Sequence, residues 1–294
     1  MTASLAGLEA DAERRFGGLR RLYGQAGYQR LRALRVAVVG VGGVGSWAAE
    51  ALARCGVQSL TLIDLDHIAE SNINRQVQAL GSTVGAAKVQ ALRERIADIH
   101  PQCEVHAVEA FVEPGLWPGL LPTPVDAVID ACDHAAAKHL LAAWALNPLT
   151  NPRVPLVLSG AAGGKRLGHR VEVADLSEVT HDPLLANLRQ RLRREGLVPR
   201  KGKAGLNCVF SREEVKRPLA MAEVAGGEVD AAGTGAVVCA TDAATDAATD
   251  AATDAATDGT TDGSLNCHGY GSSVVVTAAF GLAAAAAVLE HATK

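Results

Sequence analysis

Along the first 165 positions, short apolar blocks alternate with longer stretches in which apolar residues recur at helical spacing. Arg35–Gly40 (RVAVVG) is short, apolar and β-branched, as a buried strand is, and a small-residue helix follows from Val44 to Cys55. Ser59–Asp66 (SLTLIDLD) predicts a second strand and Gly85–His100 a helix. Residues 103–111 (CEVHAVEAF) alternate as a third strand, and Val125–His134 (VDAVIDACDH) is a fourth, with a helix running to about Leu146. Val154–Gly164 (VPLVLSGAAGG) is a fifth strand. Strand–helix alternation of this kind predicts an α/β protein: a Rossmann-like, doubly wound, mostly parallel sheet with helices on both faces.

Outside this core the pattern weakens. Thr2–Arg32 is arginine-rich and broken by glycines, and suggests a loop or arm ahead of the core. After HRVEVADL only Asp182–Arg194 has clear helical spacing, followed by the basic loop RREGLVPRKGKAG. From Ala240 to Asp262 the chain repeats alanine, threonine and aspartate in near-tandem tetrapeptides. Alanine is its main apolar side chain, so burial there offsets little chain entropy, and residues 240–262 are expected to form a disordered acidic insertion. Val274–Leu289 is continuously apolar or small but shorter than the roughly 20 residues that span a bilayer. It predicts a buried or interface helix, with peripheral membrane association as the alternative.

Composition changes this picture only slightly. The chain has 294 residues, 48% hydrophobic and 20% charged, with a net charge of −4. That is enough for one large domain, and the overall acidity excludes a general nucleic-acid coat protein while leaving room for a local basic patch. The six cysteines are widely separated and form no C-x-x-C pair, against a zinc ribbon or a thioredoxin-like motif. No leader is evident, and reduced cytoplasmic thiols are the expectation.

The chemistry starts at GVGGVG. Gly40, Gly42, Gly43 and Gly45 fit G-x-G-x-x-G between a strand and a helix, where bare backbone and a helix N-terminus approach phosphate oxygens. Asp64 lies 19 residues beyond Gly45, at the tip of the second strand, and Asp66 follows on the same face. An acid there holds a ribose, whether of NAD or of ATP. The next segment separates the two. Asn72, Asn74, Arg75 and Gln76 come directly after the strand, and Lys88 begins the next helix. A dehydrogenase does not require those cations, whereas an enzyme that expels pyrophosphate does. Asp130 and Asp133, at the carboxyl end of the fourth strand, are candidate Mg²⁺ ligands, since Mg²⁺ takes one or two carboxylates plus substrate phosphates. A basic run containing Arg189, Arg193, Arg194, Arg200, Lys201 and Lys203 is a candidate phosphate-contacting surface.

In sequence order, GVGGVGSW, IDLD, NINRQ, GAAK and DACD resemble the ubiquitin-activating superfamily of carboxylate adenylators. The flanking RFGGLRRLYG, SGAAGG, DPLLANLRQRLR and KGKAGLNCVFS resemble one branch, the tRNA threonylcarbamoyladenosine dehydratases, from about Arg15 to Leu289. His134 departs from the serine or asparagine expected after the second aspartate.

The resemblance implies one adenylation domain over residues 15–294, after a flexible 1–14. Its nucleotide-binding core spans about 33–165 and carries a C-terminal α/β extension. It implies a tRNA-modifying ligase with Arg75, Lys88 and Asp133 as catalytic residues, ATP on the glycine turn with Asp64, Asp66, Asn74 and Gln76, and Mg²⁺ on Asp133 with Asp130 in support. The basic run would hold tRNA. It also implies a homodimer in which Arg15 reaches the partner's ATP, and a link to a cysteine-desulfurase sulfur-transfer system. The alternatives are adenylation of a ubiquitin-like or sulfur-carrier protein at its C-terminal carboxylate, and an inactive scaffold.

Overall fold

The computed structural model describes residues 11–147, 149, 154–216 and 270–294. The tetrapeptide tract, like residues 1–10, lies outside them. Seven strands form one sheet, in the order β3-β2-β1-β4-β5-β7-β6. They are β1 (Arg35–Val39), β2 (Ser59–Ile63), β3 (Glu104–Val108), β4 (Ala127–Asp130), β5 (Leu156–Ser159), β6 (Val171–Asp175) and β7 (Asn207–Ser211). All neighbours pair in parallel except β6 with β7.

The chain winds outward from β1 to β2 and β3, then crosses back to β4, so the strand order reverses between β1 and β4. At such a switch point the carboxyl ends of the strands open a crevice. Register brings the right residues to it: Val39 pairs with both Ile63 and Asp130, which places Gly40, Asp64 and Ala131 side by side.

Helices cover both faces. On one, α2 (Gly18–Ala33), α3 (Gly45–Arg54), α4 (Lys88–Ile99) and α7 (Val274–Thr293) pack around Val36, Val38, Leu60 and Leu62. On the other, α5 (Ala135–Leu146) and α6 (Pro183–Arg194) pack around Ala37, Val128, Leu158 and Phe210. Helix α7 buries Val276, Phe280, Gly281, Ala284, Val288 and Leu289, a stripe at helical spacing. It crosses α3 so closely that a Cβ on Gly281 would lie 2.4 Å from the Val44 carbonyl oxygen. By length and composition α7 is apolar enough to cross a membrane. Here its stripe is spent on the core, with Val275 and Leu282 left exposed.

One region differs from the sequence expectation, and a second was only faintly marked in it. The N-terminal arm is helical: α1 (Ala12–Phe16), capped by the Asp11 carboxylate, leads into α2, which Gly24 interrupts at φ 71°. Its arginines satisfy carbonyls at helix and turn ends. Arg15 donates to the oxygens of Asp98 (2.8 Å) and Ile99 (2.6 Å) at the end of α4, and Arg32 donates to that of Gly56. The C-terminal extension holds two strands. Its alternation is faint because β6 is the sheet edge, with Glu172 and Val173 exposed, while β7 is buried between β5 and β6.

Candidate active site

A cleft of about 630 Å³ opens over the switch point. Its floor is the glycine turn. Gly40 has φ 79°, and a Cβ there would lie 2.8 Å from the Cys132 nitrogen; one on Gly45 would lie 1.8 Å from the Gly40 oxygen. Neither position admits a side chain, because the turn is pressed between its own start and the end of β4. Gly42 and Gly43 face the cleft. No side chain caps α3 at Val44; the Ser46 N–H donates to Gly42 O (3.1 Å), and the helix N-terminus at the cleft floor suits an anion.

Asp64 accepts from the Val41 nitrogen (2.8 Å) and the Asp66 nitrogen (2.9 Å). Burial pushes its carboxyl up, opposed by the Lys88 ammonium. Lys88 opens α4 and reaches back to Asp66, Nζ to Oδ2 2.6 Å, its side chain buried while that of Asp66 is more than half exposed. The pair therefore has one wet end and one dry end.

The loop between β2 and α4 carries the second cation. Asn72 closes a turn through Ala69 (3.2 Å), and the Trp47 indole donates to the Arg75 oxygen (2.9 Å). These contacts hold the Arg75 stem against Gly43. The guanidinium donates to Ser71 O (2.7 Å) and Asn74 Oδ1 (3.0 Å). Burial depresses its pKa while the Asp133 carboxylate supports its charge from the opposite wall. Gln76 also lines the cleft, its Oε1 accepting from Gln78 at 3.3 Å. Asn74 is not on the lining. It orients Arg75 and donates to Ser272 O (3.1 Å), tethering the approach to α7.

The two β4 acids separate. Asp133 is exposed at the cleft. Asp130 is not: it is fully buried, with Oδ2 2.8 Å from Lys138 Nζ and Oδ1 accepting from the Cys132 nitrogen and thiol. Asp130, expected in support of Mg²⁺, has both oxygens engaged behind the cleft. His134 is the N-cap of α5, accepting from Ala137 N at 3.4 Å, which is what serine or asparagine would do there.

Sequence reasoning did not place the far wall. Gly160–Gly163, Leu184 and Thr277 line it, with Phe111 and Glu113 at the rim. Asp182, buried at the N-cap of α6, holds this wall by accepting from Ala161 N (2.8 Å) and Leu185 N (3.0 Å). Buried Lys165 ties its base, donating to the oxygens of His181 (3.2 Å), Ser211 (2.8 Å) and Glu213 (3.0 Å). Gly164 then clips two distant stretches together: it donates to Gly271 O (2.9 Å) and accepts from Lys216 N (2.8 Å).

The basic run forms a second concavity of about 530 Å³ lined by Arg189, Gln190, Arg193, Arg194 and Arg200. Arg189 is partly committed, donating to the Leu176 and Val179 oxygens. Arg191 turns away to Glu195, which also meets His139. Lys201 and Lys203 are exposed on the adjoining loop. Arg15 is not brought to the cleft of its own chain; it sits beyond the opposite ends of the strands, on α4.

A glycine turn at a switch point, two cations over it and a carboxylate facing them define a nucleotide-binding α/β protein of the adenylating type. Residues 17–293 match the ThiF family. The tRNA threonylcarbamoyladenosine dehydratase of Escherichia coli (strain K12) is 38% identical over 97% of this chain and 94% of its own. That of Haemophilus influenzae is 34% identical over 96% and 94%. A crystal structure of the E. coli enzyme in complex with ATP matches with a TM-score of 0.75, at 35% identity and 96% coverage of both chains. The chain belongs to the ThiF family, in its tRNA threonylcarbamoyladenosine dehydratase branch.

Proposed function

We propose that this chain is an ATP-dependent enzyme that dehydrates N6-threonylcarbamoyladenosine in the tRNA anticodon loop through an acyl-adenylate. The observation that carries the reading is the placement of Arg75, Lys88 and Asp133 around one glycine turn. The turn and the N-terminus of α3 bind the phosphates, and Asp64 takes the ribose hydroxyls. The substrate carboxylate attacks the α-phosphorus, its bond to pyrophosphate breaks, and Arg75 and Lys88 stabilise the charge on the departing group. The tethered carbamoyl group then attacks the activated carbonyl, AMP leaves, and the ring closes with net loss of water. High effective concentration replaces an enzyme nucleophile. The Cys132 thiol fits this, since burial and then the Asp130 carboxylate push its pKa up, away from the nucleophilic thiolate.

The residues present fit Mg²⁺ on Asp133. Among the described residues no three His, Cys, Asp or Glu side chains converge, and one exposed carboxylate is the protein share Mg²⁺ needs where phosphates supply the rest. It would neutralise charge on the pyrophosphate.

The concavity on α6 contacts tRNA phosphates. The enzyme works in the cytoplasm as a homodimer, a state that the exposed Ile73, Leu80 and Val84 on the β2–α4 loop favour. A sulfur-transfer partner belongs to the same reading.

The test is incubation with ATP and tRNA from cells lacking the activity, followed by nucleoside mass spectrometry. An ATP-dependent loss of one water from threonylcarbamoyladenosine is expected. No loss, with pyrophosphate exchange driven by a carrier protein, would instead assign protein activation.

A further inference from the structure

Directly behind the cleft lies a charged pair that the chemistry above does not use. Lys138 and Asp130 are both fully buried, 2.8 Å apart. Burial works against the lysine's charge and the Asp130 carboxylate restores it. Neither helix stability nor packing accounts for the pair. Lys138 is the fourth residue of α5, close to the positive end of the helix dipole, where a cation is disfavoured. A buried ion pair is also no more stabilising than apolar side chains of the same volume.

What the pair does connect is distinctive. One oxygen of Asp130 takes Lys138, on α5; the other accepts from the Cys132 nitrogen (3.1 Å) and thiol (2.8 Å). The carboxylate thus ties the helix to the Ala131–Asp133 turn. That turn lies against the phosphate-binding floor, as the clash of a Gly40 Cβ with Cys132 shows, and it ends in Asp133 at the cleft surface. A displacement of the turn moves Asp133 relative to Arg75.

We infer that Lys138 is a positioning residue for adenylation: through Asp130 it sets the Ala131–Asp133 turn and so the place of Asp133 opposite Arg75. The inference rests on the function proposed above.

The test compares the parent with Asp130→Asn/Lys138→Met, which removes both charges together; Lys138→Met alone strands a buried carboxylate and serves only to show the coupling. The double variant should melt within a few degrees of the parent and bind a non-hydrolysable ATP analogue within about threefold. KM for ATP should stay within the same range while kcat for dehydration falls at least 30-fold, and the Cys132 amide should exchange with solvent at least tenfold faster. A double variant with parental kcat, or one whose rate loss is matched by lost analogue affinity, overturns the inference. So does unchanged Cys132 exchange, a readout that holds even for a parent that fails to dehydrate tRNA; that failure would count against the proposed function alone.

Discussion

Lys88 and Lys165 are both buried cations, yet they differ in what surrounds them. Lys165 spends its three hydrogens on three backbone oxygens and closes the base of the far wall. Lys88 meets one half-exposed carboxylate at the cleft. The same contrast separates the two ends of the strands. At the carboxyl ends, Arg75, Lys88 and Asp133 face an opening. At the amino ends, Arg15 and Arg32 are absorbed by carbonyls and His100. A cation that completes its own contacts holds the fold, and one that leaves donors facing a cleft is available to a ligand.

The largest effect expected from this contrast is on rate. Lys88→Ala should lower dehydration by roughly 10²–10³-fold, as loss of one charge-stabilising donor does, and shift melting little because Asp66 stays solvated. Quantitative nucleoside analysis beside a thermal melt checks both halves. Lys165→Met should do the reverse. It strands three carbonyls at about 1–3 kcal/mol each, so melting should fall by roughly 6 °C or more at about 2–4 °C per kcal/mol. The rate per folded molecule should hold at low temperature.

His100 extends the contrast to pH. Burial and then the Arg32 charge depress its pKa to about 4, with Arg15 also near and Phe16 packed at a tilt against the ring. The unfolded chain takes up a proton below about pH 6.5 that the folded chain refuses, so stability is lost as pH falls from 6.5 toward 4. His100→Gln should flatten that limb by up to one proton, about 1.4 kcal/mol per pH unit; urea titrations at several pH values measure it. The smallest effect is expected for Arg15→Ala if its work is carbonyl capping alone: about 1 kcal/mol of stability and an unchanged KM for ATP. A rise in that KM of tenfold or more would put Arg15 in a partner's cleft.

Much of this arrangement was legible before any coordinates. The glycine turn, Asp64 and Asp133 follow strand ends and Lys88 begins a helix, and local patterning determines where such residues point; Arg75 lies in the loop between β2 and α4. What was not legible depends on pairing across the chain. Asp130 and Asp133 have the same chemistry in sequence, and only the fold buries the first against Lys138. The far wall takes its lining from residues near 160, 184 and 277, which no local period links. The N-terminal arm escaped because its arginines and glycines look like a loop until the carbonyls of α4 and Gly56 are beside them. The strand β6 escaped because an edge position leaves its alternation half-polar.

Gly164 joins Lys216 on one side to Gly271 on the other, so two positions far apart in the chain are held together at a single residue. The cost of closing a loop grows only with the logarithm of its length, about 0.6 kcal/mol per doubling. Holding Lys216 and Gly271 together at Gly164 therefore makes the cost of closure between them depend only weakly on how many residues separate them.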